Sequence, residues 1–426
     1  MSHPTSLAAW LAYLETLHPK AIALGLERVH AVYSRLGIAP ACPVITVGGT
    51  NGKGSTSTFL ERMLSAGGYR VGLYTSPHLL QYNERVRIVG TDAGDGELCA
   101  AFAAVEAVRG DTPLTYFEFG TLATLWLFAQ ARLDAWVLEV GLGGRLDAVN
   151  IVDADVSIVT TIAVDHTDYL GPTREDIGRE KAGIFRAGRI AICADLHPPD
   201  TLVTHATAVG AKLLRIGADF GYAVQDAQWR YFGPGGQRYG LPHPALRGTY
   251  QLANAAAALT ALDALRDRLP VGMGAVREAL VGIELPGRFQ VLPGRPVIVL
   301  DVAHNPQAAA ALADNLGGMG FHPQTLAVFG IMADKDIGAV IDAVKGRVDR
   351  WLVATLPAPR GANAALLRER LQRAGVRAEA IGAFDAAGEA YSAARGIAAE
   401  ADRIIVFGSF LTVAAALAQA RDGRGV

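Results

Sequence analysis

Short apolar runs, each closed by glycines or polar residues and followed by a longer helical stretch, recur along the chain. Val44 to Val47 meets a glycine cluster and then a helical segment from Thr56 to Ala66, and Tyr69 to Tyr74 ends in Thr75-Ser76-Pro77-His78. Glu97 to Arg109 reads as a helix, and Leu114 to Thr121 opens an apolar helix through Ala131. Ala135 to Val140 and Asp155 to Ile162 are further strands around a glycine-rich loop. Strands alternating with helices predict a parallel α/β sheet. Upstream, Leu7, Trp10, Leu11, Leu14 and Leu17 line one face of an amphipathic helix within Met1 to Lys20, and a second short helix follows Arg28.

Residues 190–250 carry a weaker pattern, with turns at Pro198-Pro199 and at Phe232 to Gly236 and short strands around Leu213 and Trp229. Helices are expected over Tyr250 to Leu265 and Val276 to Ile283, then a hinge at Leu285-Pro286-Gly287-Arg288-Phe289. Beyond it the alternation restarts, with strands at Val297 to Leu300, Leu326 to Phe329, Trp351 to Ala354 and Ile404 to Phe407. The expected architecture is α/β throughout. A P-loop-type, mostly parallel sheet domain spans 1–284, a hinge 285–290, and a smaller Rossmann-like α/β domain 291–426.

Composition narrows the classes. Half the residues are hydrophobic (51%) and 19% are charged, which suits buried cores rather than disorder. A formal charge of −2 gives no reason to expect nucleic acid or an acidic membrane as partner. No apolar run approaches bilayer-spanning length, and no basic, apolar and small-residue leader opens the chain. Cys42, Cys99 and Cys193 lack metal-type spacing and cannot all pair, so a reducing cytoplasm is expected.

Candidate chemistry gathers at strand ends, where ligands of parallel sheets lie. Gly48-Gly49-Thr50-Asn51-Gly52-Lys53-Gly54-Ser55, between a strand and a helix, makes an anion cradle of converging N–H groups and a helix dipole. Gly54 separates Lys53 from Ser55, unlike the common P-loop, in which the hydroxyl residue directly follows the lysine. Glu139 interrupts a strand of Trp, Val and Leu, where a lone carboxylate is costly unless paired or bound to metal; a Mg²⁺ ligand facing the phosphate loop is favoured over an internal ion pair. His166 lies between Asp165 and Asp168, and the residues alone do not separate a ligand from a structural histidine. Arg145 and Asp147 are equally open. Lys181 sits in a charge run that by itself supports only a solvated helix face. Asp301 and His304 end a strand of the second domain, for closure on a nucleotide or for capping the helix after Asn305-Pro306.

Taken together, Gly49 to Ser55, Thr75-Ser76-Pro77-His78, Glu139 to Asp147, Asp165-His166-Thr167-Asp168, Leu285 to Phe289 and Asp301 to Pro306 resemble folylpolyglutamate synthases. The similarity is greatest to the bacterial bifunctional dihydrofolate synthase/folylpolyglutamate synthase family, relatives of the Mur ligases, and runs from about residue 20 to Ser409. The resemblance implies ATP-dependent joining of L-glutamate to dihydropteroate and to reduced folates through an acyl phosphate. It implies that Thr50, Asn51, Gly52, Lys53, Gly54 and Ser55 hold the phosphates, and that Asn254, Arg288, Asp301 and His304 serve the nucleotide. Ser76 and Glu139 would hold one Mg²⁺, and Glu139 and His166 a second. Lys181 matches a carbamylated lysine, an anion that helps position the second ion. Ile22, Ala23, Leu24 and Gly25, with Thr115, Tyr116, Phe117 and Glu118, and Leu146, Asp147 and Ala148, match segments that contact dihydropteroate. Ala23 departs from the acidic residue of a close bacterial pattern.

Two other readings follow from the same residues. A peptidoglycan-precursor ligase would share the chemistry and bind UDP-linked sugars, but the segment around Thr115 argues against it. A P-loop kinase or switch would have no use for the hinge and second-domain motifs. A monomeric enzyme with small-molecule partners is expected.

Overall fold

The computed structural model describes residues 4–248 and 250–422; the first three residues of the stretch read as the opening helix lie outside the described residues. Two compact units form, one from the chain up to Ala245 with Gln251–Ile283, the other from Leu246–Tyr250 with the chain from Glu284 onward.

The strands of the first unit's main sheet are β1 (Val44–Gly48), β2 (Val71–Tyr74), β3 (Val86–Ile88), β4 (Thr91–Asp92), β5 (Ala135–Glu139), β6 (Val156–Val159), β7 (Ile190–Cys193) and β8 (Lys212–Arg215), in the order β4-β3-β2-β5-β1-β6-β7-β8. All neighbours from β2 to β8 are parallel, whereas β2–β3 and β3–β4 are antiparallel. The register sets Val47 beside Glu139 and Gly48 beside Val159, so the phosphate loop, Glu139 and the segment after β6 leave the sheet at one end. The central strands are buried at every position, as a parallel sheet covered on both faces requires.

Helix Tyr116–Gln130 begins at a capping box in which Thr115 accepts from the Glu118 N–H and Glu118 from the Thr115 N–H. It is apolar around its circumference because it lies in the core, where Phe119 and Leu122 join Trp10, Val29, Phe102, Trp136 and Leu138. Toward the other edge, Val140 and Val159 pack with Ile177, Ile184 and Leu202.

The weakly patterned stretch contains a three-stranded antiparallel sheet of β9 (Gly221–Gln225), β10 (Gln228–Gly233) and β11 (Gly236–Pro242). Pro234-Gly235 turns between the paired Gly233 and Gly236.

In the second unit, β12 (Gln290–Leu292), β13 (Val297–Asp301), β14 (Thr325–Phe329), β15 (Arg350–Ala354), β16 (Ile381–Phe384) and β17 (Arg403–Phe407) form a sheet ordered β12-β13-β17-β14-β15-β16. Only β12 is antiparallel to its neighbour. Among the described residues no helix is long and apolar enough to cross a membrane.

Candidate active site

Backbone shape makes the phosphate loop. Gly49 has φ +139°, and a Cβ there would lie 1.8 Å from Thr160 Oγ1. Gly52, at φ +92°, forms the N-cap of helix Lys53–Ala66, and its Cβ would meet Asn254 Oδ1 at 2.5 Å. Only glycine combines such angles with such approaches. The Thr50 N–H donates to Thr161 O (2.6 Å), and the hydroxyls of Thr160 and Thr161 donate to Asn51 O at 2.7 and 3.1 Å. Lys53 Nζ donates to Gly49 O (3.1 Å) and Thr50 O (3.2 Å), and Ser55 is buried in the helix's first turn. Asn254, from helix Tyr250–Ala264, is buried against the loop and donates to Gln251 Oε1 at 2.9 Å.

Glu139 is the last residue of β5 and is buried; its Oε2 accepts the Ser76 N–H at 3.2 Å. A carboxylate and a serine hydroxyl are hard oxygen donors suited to Mg²⁺, which is held by one or two carboxylates completed by phosphate oxygens and water. Among the described residues no group of three His, Cys, Asp or Glu side chains is placed to hold a metal ion. His166 has a left-handed backbone (φ +52°), its N–H donates to Asp165 Oδ1 at 2.8 Å, and its Nε2 lies 4.0 Å from that oxygen.

Lys181 is not solvated. It is buried in the last turn of helix Arg174–Ala182, and its Nζ donates to Gly49 O at 2.9 Å, the same carbonyl that Lys53 reaches. Burial, and then the Lys53 charge, pull its pKa down to about 7 against the opposing pull of Asp165 and Asp147. Asp147 is buried too, and burial raises it to about 6 although the N–H groups of Leu142 (2.8 Å) and Val149 (2.9 Å) favour its carboxylate.

The three segments matched to a pterin substrate converge. Arg28 Nη2 donates to Ala23 O at 2.7 Å and to Glu118 Oε1 at 2.8 Å, and the Gly25 N–H donates to Leu146 O at 3.4 Å. Phe117 packs on Gly141, where a Cβ would come within 2.5 Å of the ring, and stacks on Tyr74 at 6.1 Å between centroids. Arg28 was not singled out from sequence, and neither was Arg85. The Arg85 guanidinium lies 5.2 and 5.6 Å from the Tyr82 and Tyr116 ring centres, and its Nε donates to His78 Nδ1 at 2.8 Å. Burial, then Arg85, lower His78 to about 4.

In the second unit Asp301 is buried at the end of β13, its oxygens accepting the N–H groups of Phe289 (2.9 Å) and Ala303 (2.8 Å). Burial raises it to about 6. Arg288 lies over the Phe410 ring at 5.0 Å, and the His304 ring is 6.5 Å from the same ring. Capping of helix Pro306–Gly317 belongs to Asn305, whose Oδ1 accepts from Ala308 N at 3.0 Å.

Comparison with known proteins places this arrangement. The Mur ligase middle domain matches residues 47–262, and the glutamate ligase domain of Mur ligases matches residues 287–410. The chain is 48% identical over 409 residues to the dihydrofolate synthase/folylpolyglutamate synthase of Escherichia coli K12, covering 96% of this chain and 94% of that protein. The chain belongs to the dihydrofolate synthase/folylpolyglutamate synthase family of Mur ligases.

Solved members of the family superpose closely on it. E. coli FolC in complex with DHPP and ADP matches with a TM-score of 0.92 at 47% identity, over 99% of each chain. A bifunctional folylpolyglutamate synthase/dihydrofolate synthase with Mn, AMPPNP and L-glutamate bound matches at 0.90 and 46% identity, over 98% of each. The α/β architecture expected from sequence, a mostly parallel first sheet and a smaller second α/β unit, is that of these dihydrofolate synthase/folylpolyglutamate synthases.

Proposed function

We propose that this enzyme uses ATP to ligate L-glutamate to dihydropteroate and to the γ-carboxylate of reduced folates. The observation that carries the substrate half is the Arg28 tie between the 22–25 and 115–118 segments, with Leu146 joined to Gly25 beside the buried Asp147. A peptidoglycan-precursor ligase shares the phosphate loop but has no need of that junction.

The chemistry proceeds in two displacements. A carboxylate oxygen attacks the γ-phosphorus and ADP leaves, giving an acyl phosphate. The glutamate amine then attacks the acyl carbon, phosphate leaves, and the nitrogen loses a proton. A bare carboxylate is a poor electrophile; phosphorylation cancels its charge and supplies the leaving group. Residues 49–55 supply N–H donors at a helix N-terminus, and the Lys53 ammonium offsets phosphate charge. Asn254 abuts the loop, and Arg288, Asp301 and His304 are assigned to the nucleotide. Ser76 and Glu139 would hold one Mg²⁺, and Glu139 and His166 the other. Bound there, these ions supply neutralisation of the triphosphate.

Lys181 is assigned a carbamate. Its ammonium first gives up one proton, and the neutral amine then adds to CO₂ with release of a second, so that a cation becomes an anion beside the second ion. A pKa near 7 leaves the required neutral amine abundant in the cell's pH range. Residues 1–284 carry nucleotide and pterin, 285–290 hinge them to 291–426, and the enzyme works as a cytoplasmic monomer on small molecules, without nucleic acid or membrane. The near-neutral charge and three unpaired cysteines suit that setting.

The test is an ATP and L-glutamate assay run separately with dihydropteroate and with a reduced folate. Glutamate-dependent ADP and a new amide are expected from both. ADP release without an amide, or amide formation only on a UDP-linked sugar acid, would overturn the assignment.

A further inference from the structure

We propose that the Arg174–Asp195 pair is the positioning device for the half of the site that holds His166 and Lys181; this rests on the metal and carbamate roles proposed above. Asp195 follows β7 and is buried. Its Oδ2 accepts the Ile162 N–H at 2.7 Å and Arg174 Nη2 at 3.1 Å, and its Oδ1 accepts the His197 N–H at 2.9 Å. Arg174 Nε donates to Ile162 O at 3.0 Å, and its Nη2 also donates to His197 O at 2.9 Å. Both backbone groups of Ile162 are therefore held by one ion pair.

The flanking residues are held from the opposite side, by the phosphate loop. Thr161 O accepts from Thr50 N, while Thr50 Oγ1 donates to Ala163 O at 3.2 Å and accepts from Ala163 N at 3.1 Å. Three residues beyond Ala163 stands His166, in a left-handed conformation that a non-glycine residue keeps only when its surroundings impose it. Arg174 is also the first residue of the helix whose last turn carries Lys181 back to Gly49 O. The connections close a ring: phosphate loop, residues 161–163, ion pair, helix, Lys181, phosphate loop. Arg174 is 42% exposed and Asp195 only 8%, so solvent screens much of the pair's attraction, while its hydrogen bonds fix the backbone of Ile162 and His197. Neither residue touches substrate; both act through others.

The test uses the full-length enzyme and reads Mn²⁺ binding with AMPPNP by water-proton relaxation, and Lys181 labelling with ¹³C-bicarbonate by NMR. In Arg174→Ala the half-saturating Mn²⁺ concentration is expected to rise about tenfold or more and the ¹³C signal to fall by at least half. Metal-free nucleotide affinity should stay within about twofold. Arg174→Lys keeps the charge but not the fork and should fall between the two. Asp195→Asn, which preserves shape, should behave as Arg174→Ala. Folded variants that bind Mn²⁺ and take up label like wild type would overturn the proposal. So would loss of the fold in both Arg174→Ala and Asp195→Asn, because the pair would then be a stability element. Both readouts omit substrate, so absence of ligation by wild type would strike the proposed activity and leave this inference standing.

Discussion

Replacing Lys181 by methionine should make the protein more stable and inactive, with a pH signature that identifies the buried amine as the cause. The ammonium is held in a buried site where its pKa falls from 10.5 to about 7. Between those values the unfolded chain binds a proton that the folded one does not, so wild-type stability rises with pH across that window. The depressed pKa costs about 5 kcal/mol at pH 6, about 4 kcal/mol at pH 7.5 and about 2 kcal/mol at pH 9, taking roughly 1.4 kcal/mol per unit. Methionine fills similar volume without a titrating group. In CO₂-free buffer its stability advantage over wild type, read from urea unfolding by tryptophan fluorescence, should shrink steadily from pH 6 to pH 9. Bicarbonate should narrow the gap further by converting the wild-type amine to a carbamate. At pH 7.5 about three quarters of the amine is neutral, against about one part in a thousand for an ordinary lysine, so labelled bicarbonate should enter readily. A stability difference that is flat from pH 6 to pH 9, or a methionine variant with wild-type turnover, refutes the reasoning.

Lys181→Ala should lose most activity and regain part of it with small carboxylic acids, which place an anion where the carbamate would sit; full activity without added acid would remove that role. Gly49→Ala should abolish nucleotide binding in calorimetry, since neither the +139° backbone nor the 1.8 Å approach to Thr160 admits a methyl group. Arg28→Ala leaves Glu118, 5% exposed, without its cation at a cost of about 2 kcal/mol; KM for dihydropteroate should rise about tenfold with KM for ATP unchanged, and equal effects on both would contradict the pterin assignment. Glu139→Ala should keep the circular dichroism spectrum while losing Mg²⁺-dependent turnover, and unchanged metal dependence in the assay would refute the ligand role.

What was legible in the sequence was local. Four glycines, a lysine and a serine between a strand and a helix define the phosphate loop within one stretch, and a carboxylate inside an apolar strand exposes Glu139. The short antiparallel edges β3, β4 and β12 escaped because two or three residues show no alternation. Lys181 illustrates a different failure. Its helix is rich in charge, yet Ile177, Gly178, Lys181 and Ala182 make a buried stripe because Gly144 lets the neighbouring loop lie against the helix backbone. A Cβ there would come within 2.8 Å of Glu180 O. Arg28 and Glu118 are 90 residues apart, and Arg174 and Asp195 meet only through the order of β6 and β7, so no window along the chain reveals either pair.

One carbonyl explains why these distant residues belong to one device. Gly49 O accepts from Lys53 and from Lys181, so two amines converge on a single acceptor, with the Asp165 and Asp147 charges opposing the loss of the Lys181 proton. Two ammonium groups so placed repel through a poorly screened interior. The conflict is relieved when one amine is neutral, or when it becomes an anion and the pair attracts. Lys53 lies part-buried at the helix start, whereas Lys181 is fully buried, and burial selects Lys181 as the amine that yields. On the proposed mechanism, capture of CO₂ by that neutral amine would turn the repulsion into attraction and set an anion beside the loop proposed to receive the triphosphate.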